Sequence, residues 1–489
     1  MFDIVKQIGI DFGSSNTSVV GVLEDYTKSP IVFRYNDVEP FSTMLLRKHN
    51  SSYFFTAAEV NFKGKDINDQ EVHFYNALKE DLMEENGKDE YSKRVEEFFK
   101  ELKRQLEDKK YMEQQYSFDL DSICFGYPIS FDKTVVNRYR EKMRNIVERV
   151  FQSKEKKIKI YDIPEPVLAG RAYNYAYKRL NDGKSFLAKD ETLLVVDLGG
   201  YTMDIALLQA SGDKEQELAI RKCVSLPNKF SSGKNITKSL CKELYGKRVY
   251  DGRVDRKKRE LFEQLIREDG QYQLGSNYTP TKGAKYPKEG KDVTFALHYD
   301  MLNPKSYTKE KGKDYIDIGF VGNDETKDIQ FERRINDAVD FIRIYLSEIP
   351  KDSISYVLFT GGTAKIKPLR DGILQGIKDW LTPDNPQKAE LLMDDNNFNF
   401  PLTGDKLSSE NAVALGAALT AAGICKPLDD MASPFKGKKE DKDKKIEELE
   451  AKLKERTMER DLEKLKLGEL SEAEAKRLVE EYKKRFSSN

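Results

Sequence analysis

The stretch IGIDFGSSNTSVV, Ile8 to Val20, carries the reading of this chain. Apolar residues run to Phe12, a glycine and two serines follow, and a second apolar run begins after Asn16. The pattern predicts a strand, a tight tip and a second strand. A hairpin serving only the fold would more usually turn on Asn-Gly or Asp-Gly. Gly13, Ser14, Ser15 and Asn16 instead offer backbone N–H groups and hydroxyls, which close readily on an anion. Asp11, just ahead of the tip, is a carboxylate on an otherwise apolar strand. It reads either as a buried, hydrogen-bonded strand residue or as a group facing a cation.

The same arrangement returns in LLVVDLGGYTMDIALLQ, Leu193 to Gln209: an apolar strand, Asp197, the tip Gly199-Gly200-Tyr201-Thr202, and another strand. Matched hairpins far apart in one chain predict an internally duplicated fold. Two such tips facing each other would grip a polyphosphate from both sides. Asp11 and Asp197 would then suit Mg²⁺, held mainly through its water shell. Phosphoryl transfer needs positioning and charge neutralisation more than a strong base. A third stretch, VLFTGGTAKI, ends a strand in Gly361-Gly362, where the backbone can approach a flat ligand closely.

Composition narrows the classes. At 489 residues the chain exceeds one ordinary core, so two or more domains are expected. Charged residues make up 34% against 38% hydrophobic, and a net charge of −1 supplies no field for nucleic acid or anionic lipid. Cys124, Cys223, Cys241 and Cys425 show neither metal nor disulfide spacing, and no apolar run reaches membrane-spanning length. A strand begins within four residues of Met1, which leaves no room for a signal peptide. A cytoplasmic protein with no nucleic-acid or membrane partner is the expectation. His49, His73 and His298 lie apart, which disfavours imidazole base or zinc chemistry. Carboxylates, a lysine, hydroxyls and Mg²⁺ remain.

Helical spacing marks Val95, Phe98, Phe99, Leu102 and Leu106; Val135, Met143, Ile146 and Val150; and Phe331, Ile335, Val339, Ile342 and Leu346. These alternate with apolar strands such as SICFGYPISF and KIKIYDIP, the latter leading through Glu165-Pro166 into the small-residue helix VLAGRAYNYAY. The alternation predicts an α/β architecture. The expected division is a first lobe over 1–188 and a second over 189–430, the latter with an inserted, partly irregular subdomain at 227–328. A charged linker at 431–445 and a short C-terminal helical hairpin at 446–489 follow. Within that hairpin the seam of Ile446, Leu449 and Leu453 is too short for a long coiled coil, and Ser471 to Glu474 is a capping-box start.

In this order the motifs resemble the ATPase superfamily of actin, the heat-shock chaperones and the sugar kinases. Within it the chain is most similar to the nucleotide-binding domain of the seventy-kilodalton heat-shock (DnaK-type) chaperones. IGIDFGSSNTSVV resembles the first phosphate loop, EPVLAG the first connecting helix and VVDLGGYTMDIALL the second phosphate loop. VLFTGGTAKIKPLRD resembles the adenosine element and ENAVALGAALTAAG the second connecting helix; ICFGYPISF and FERRINDAVDFI echo the chaperone branch. The resemblance covers roughly 5–425 and implies a two-lobed actin-like ATPase fold of duplicated ribonuclease-H-like domains, binding ATP or ADP with Mg²⁺.

Carried over by position, Asp11 and Asp197 resemble the magnesium-shell and water-orienting carboxylates, and Glu165 the carboxylate that senses the γ-phosphate. Ser14, Ser15 and Thr202 look like phosphate-contacting hydroxyls, with Gly13, Asn16, Gly199, Gly200 and Tyr201 completing the two tips. Lys79, in FYNALKEDL, sits where the family places a lysine that stabilises the transferring phosphoryl group; it reads equally as a solvated helix-face lysine. Gly361, Gly362 and Thr363 resemble adenosine-proximal residues, and Lys365 replaces a base-stacking arginine, which removes a planar contact. Gly416 and Ala417 let the two connecting helices cross closely as a hinge, and Glu410 either faces the phosphates or answers a helix dipole. Glu263 and Arg267 are the candidates for the adenosine-clasping helix.

Two departures bear on function. Tyr201 stands where the chaperones carry a third glycine, as bulky residues do in actin-like plasmid-segregation proteins. The charged tail does not resemble a chaperone peptide-binding domain. The expectation is a slowly hydrolysing ATP-dependent switch acting through a protein partner or client. The alternative is an actin-like filament-forming ATPase, self-associating through the tail or as a polymer. A small-molecule kinase would need an acceptor motif that is not recognisable, and a nucleotide-bound scaffold presenting the tail is the non-enzymatic reading.

Overall fold

The computed structural model describes residues 3–34, 41–61, 71–83, 89–108, 116–129, 133–153, 156–184, 187, 191–210, 218–226, 232–234, 284–288, 291–298, 308–309, 315–319, 331–346, 354–365, 367–381, 390–392, 400–403 and 405–425. Glu263, Arg267, Cys241 and the tail over 431–489 lie outside them.

The first half opens with β1 (Asp3–Phe12), β2 (Asn16–Leu23), β3 (Ile31–Val32) and β4 (Phe41–Ser42). A small three-stranded sheet follows from β5 (Leu45–Lys48), β6 (Ser51–Phe54) and β7 (Val72–Tyr75), with α1 (Phe55–Asn61) between the last two. Next come α2 (Leu78–Met83), α3 (Asp89–Glu107), β8 (Tyr116–Tyr127), α4 (Lys133–Phe151), β9 (Lys159–Pro164) and α5 (Glu165–Leu180). Helix α1 enters at Phe55 with a positive φ of 55°.

The second half contains β10 (Thr192–Leu198), β11 (Met203–Ala210), β12 (Leu218–Leu226), β13 (Ala284–Lys288), β14 (Lys291–His298), β15 (Thr308–Lys309) and β16 (Tyr315–Gly319). Then follow α6 (Phe331–Tyr345), β17 (Ile354–Thr360), a 3₁₀ turn (Gly362–Lys365), α7 (Lys367–Trp380), β18 (Glu390–Leu392), the pair β19 (Pro401–Leu402) and β20 (Asp405–Lys406), and α8 (Ala412–Ala421). Strands β13 to β16 form a four-stranded sheet, order β13-β14-β16-β15, where composition alone predicts partly irregular chain.

The fold is mixed α/β, and its two main sheets repeat one plan. The first runs β3-β2-β1-β8-β9 and the second β12-β11-β10-β17-β18. In each, the glycine-tipped hairpin pairs antiparallel, its first strand pairs parallel with a later one, and a further parallel strand follows after a helix. The registers match as well. Asp11 lies opposite Ser18 and Asp197 opposite Asp204, the same number of residues along each hairpin.

Strand β10 shows why these sheets lie inside. Leu193, Leu194, Val195 and Val196 are all buried, an unbroken apolar run covered on both faces. On the outer face of the first sheet, Ile8, Ile10 and Phe12 pack with Phe98, Phe99 and Leu102 of α3 and Met143 and Ile146 of α4. Phe12 meets Phe98 and Phe99 with ring centroids 5.5 and 5.3 Å apart. Each fully buried side chain of this size contributes about 1.5–3 kcal/mol.

The inner faces are bridged by α5 and α8, each reaching the other half's sheet. A Cβ on Gly170 of α5 would lie 2.5 Å from Leu208 Cδ1. A Cβ on Gly9 of β1 would lie 2.1 Å from the Ala414 carbonyl oxygen of α8. The helices cross at Gly416, where a Cβ would stand 2.0 Å from the Leu168 carbonyl oxygen. Arg171, buried in this crossing, donates from Nη1 to Thr420 Oγ1 at 3.1 Å, and Ser122 Oγ donates to the Ala421 carbonyl at 2.7 Å.

Helix propensity alone favours alanine over glycine by about 1 kcal/mol. The sign of Gly416→Ala therefore tests the crossing. Overpacking here is expected to lower the unfolding free energy by about 2 kcal/mol, read by denaturant titration. A stabilised variant would contradict the close approach.

Candidate functional site

The first tip is fixed by its neighbours. Ser15 accepts at its carbonyl from Thr43 N at 2.8 Å, and the Thr17 and Thr43 hydroxyls share a hydrogen bond of 2.8 Å. Gly13 is required sterically, since its Cβ would come 2.3 Å from the Asn16 carbonyl oxygen. Ser14 is buried, while Gly13, Ser15 and Asn16 are half-buried.

At the second tip both glycine carbonyls are satisfied within the protein. Gly199 O accepts from Gly233 N at 3.1 Å and Thr363 Oγ1 at 2.9 Å; Gly200 O accepts from Lys234 N at 2.7 Å. Thr202 closes the turn, its carbonyl accepting from Gly199 N at 3.0 Å, and its hydroxyl donates to Asp204 Oδ2 at 3.1 Å. Tyr201 is half-buried on this tip. The tips meet: a Cβ on Gly200 would lie 3.1 Å from Ser15 Oγ and 3.5 Å from Ser14 Cβ.

The third element abuts the second tip. Thr360 pairs with Asp197 in the parallel ladder, and Gly361, at a φ of +86°, turns the chain there. A Cβ on Gly361 would stand 2.4 Å from Asp197 Oδ1, so the left-handed conformation and the contact both demand glycine. Ser409 O anchors this turn, accepting from Gly361 N at 3.2 Å and Thr360 Oγ1 at 3.1 Å. Glu410, just ahead of the Asn411 cap of α8, comes within 3.8 Å of the Cβ position of Gly362, and so lies at this third element. Lys365 closes the 3₁₀ turn.

Within electrostatic reach of Asp197 is a buried charged cluster. Strand β9 ends at Pro164, and Glu165-Pro166 starts α5 with the carboxylate in the first turn, where the helix dipole favours it. Glu165 Oε1 accepts from Lys79 Nζ at 2.6 Å with both side chains buried, so the solvated reading of Lys79 does not hold. Burial opposes the charge on Lys79, but Glu165, Tyr139 and Asp11 outweigh it and hold the ammonium above its usual range. Asp197 is pushed well above the ordinary carboxylate range, first by burial and then by Glu165, Asp204 and Asp11, with Lys79 opposing.

That excess of carboxylates is the kind of donor set a divalent cation relieves, and Asp11, Asp197 and Glu165 could hold hydrated Mg²⁺. Among the described residues no three His, Cys, Asp or Glu side chains are grouped to ligate a metal directly. No described helix is long and apolar enough to cross a membrane.

Several participants are not singled out by the sequence. Lys234, buried, sends Nζ to Glu80 Oε1 and, at 3.2 Å, to the Asn76 carbonyl, tying the second tip to the helix that carries Lys79. Its signal, Gly233-Lys234 shortly after a strand, is submerged in a lysine- and glycine-rich stretch. Asp204 could have been found from the hairpin register, which sets it opposite Asp197. Tyr139 lies midway between Val135 and Met143 on the predicted apolar face, which marks it as core and conceals its hydroxyl.

Compared with known proteins, the chain matches no protein-family model and no curated protein.

The raised pKa of Asp197 has a stability consequence. An unfolded aspartate releases its proton near pH ~3.9, whereas folded Asp197 keeps it to higher pH. Between those values the folded state holds the extra proton, so stability from this residue declines as pH rises. Without nucleotide, Asp197→Asn is expected to melt above the parent at about pH 7.5 and to lose that advantage towards about pH 4. An offset independent of pH would contradict the assignment.

Proposed function

We propose that this chain is an ATP-dependent molecular switch with the two-lobed actin-like ATPase fold, most similar to the nucleotide-binding domain of the heat-shock chaperones. The repeated sheet plan supports duplicated ribonuclease-H-like lobes, and the crossing of α5 and α8 supports a hinge between them. One observation carries the reading: Gly200 stands against Ser14 and Ser15, with the buried Lys79–Glu165 pair, Asp11 and Asp197 beside them.

In this reading the second tip, its carbonyls satisfied elsewhere, offers amide hydrogens to phosphate oxygens from one side. Gly13, Ser14, Ser15 and Asn16 offer amides and hydroxyls from the other, while Gly361, Gly362 and Thr363 receive the nucleoside. Asp11 and Asp197 hold the water shell of Mg²⁺, which when bound neutralises phosphate charge. Lys79 balances further negative charge and is itself oriented by Glu165. Asp197, with Thr202 hydrogen-bonded to its cross-strand partner Asp204, orients the attacking water and takes up its proton. Closure on ATP and reopening after hydrolysis would be read by a protein partner.

Tyr201, a bulky residue on the second tip, favours a second reading, an actin-like filament-forming ATPase. One experiment addresses both. With MgATP, Asp197→Asn is expected to lose turnover by roughly 10²–10⁴-fold while retaining nucleotide affinity. Equal turnover in variant and parent would remove the proposed role. Light scattering from the parent in the same runs separates the readings: ATP-dependent growth in particle size supports the filament, and constant size supports the switch.

A further inference from the structure

Helix α4 packs on α2, the helix that carries Lys79. Arg138 Nη2 donates to the Met83 carbonyl at 3.5 Å and Lys142 Nζ to the Leu82 carbonyl at 3.4 Å. Between them in sequence is Tyr139, fully buried with its ring in the cluster that also holds Phe12, Leu78 and Leu82. Its hydroxyl has no hydrogen-bond partner among the described residues. A buried hydroxyl left unpaired costs free energy, so structures retain one mainly where something absent completes it.

The surroundings narrow what that is. Lys79, Glu165, Asp11 and Glu80 all act electrostatically on the Tyr139 phenol. Burial pushes its pKa up, against Lys79, so the hydroxyl keeps a proton to donate. Glu165 already accepts from Lys79, and one Glu80 oxygen from Lys234. The phenol therefore lies within electrostatic reach of the same charged cluster, and none of the described residues accepts its proton.

We infer that Tyr139 is a ligand-binding residue of this site, its hydroxyl donating a hydrogen bond to an oxygen of the terminal phosphate of bound ATP. The inference rests on the nucleotide reading above. A phenol suits this reading because it adds a directed donor within electrostatic reach of Lys79 without adding a further buried charge. Reached by ATP and not by ADP, it makes the site sense the third phosphate.

Tyr139→Phe removes the hydroxyl and nothing else. Without nucleotide its melting temperature is expected to equal or exceed the parent's, because the lost group has no hydrogen-bond partner among the described residues. Affinity for a non-hydrolysable ATP analogue with Mg²⁺, measured by calorimetry, is expected to fall roughly ten- to hundredfold, with ADP affinity nearly unchanged. Unchanged analogue affinity, or equal loss for both nucleotides, would overturn the assignment. So would a lower melting temperature in the empty variant, which would make the phenol part of a structural network, such as a water bridge to Glu80 Oε2, itself without a partner among the described residues. A parent that binds neither nucleotide defeats the nucleotide reading itself, and this inference with it.

Discussion

The arrangement depends on backbone lying against backbone at two glycines. At Gly9 the central strand of the first sheet meets α8, and at Gly416 α8 meets α5, with no volume for even a methyl group at either. Each helix follows the last parallel strand of one sheet and packs on the other, so these approaches set how the sheets face one another. The meeting of the tips at Ser14, Ser15 and Gly200 follows from it. Packed interiors resist such intrusions because they hold few voids to absorb them.

The charges beside the tips are costly. Lys79 with Glu165 and Lys234 with Glu80 are buried ion pairs, and Asp197 is a buried carboxyl beside others. Desolvation of such charges offsets much of their mutual attraction, so they add little to stability over an apolar core. In the proposed function, these charges beside two glycine tips are arranged for a phosphate-bearing ligand. Contrast Asp162, clasped by Arg140 and Arg144 on the outer edge of the first half: there the partners are complete, and the cluster reads as structural.

Much of this was legible in the sequence because it rests on local, repeated patterns. Period-two strands around a glycine tip give the hairpins, and helical spacing gives Val95, Phe98, Phe99 and Leu102 their buried face. Small residues in AVALGAAL announce a close crossing, though not which carbonyl it meets. Register carried more than composition did: the Asp11–Ser18 and Asp197–Asp204 pairings expose the duplication, and only the latter adds a carboxylate. What stayed hidden is long-range. No local pattern says that Lys234 crosses to Glu80, or that Lys79 points inward. Tyr139 illustrates the limit, since spacing specifies which side of a helix is buried and not what a polar atom on that side meets.

In the proposed function, phosphates lie between the two glycine tips. A crystal structure grown with MgADP tests it most directly. Phosphate oxygens are expected within hydrogen-bond distance of backbone amides at Ser14 or Ser15 on one side and at Gly200 on the other, with the metal's water shell on Asp11 and Asp197. Nucleotide bound elsewhere, or tips parted with no phosphate between them, would contradict it.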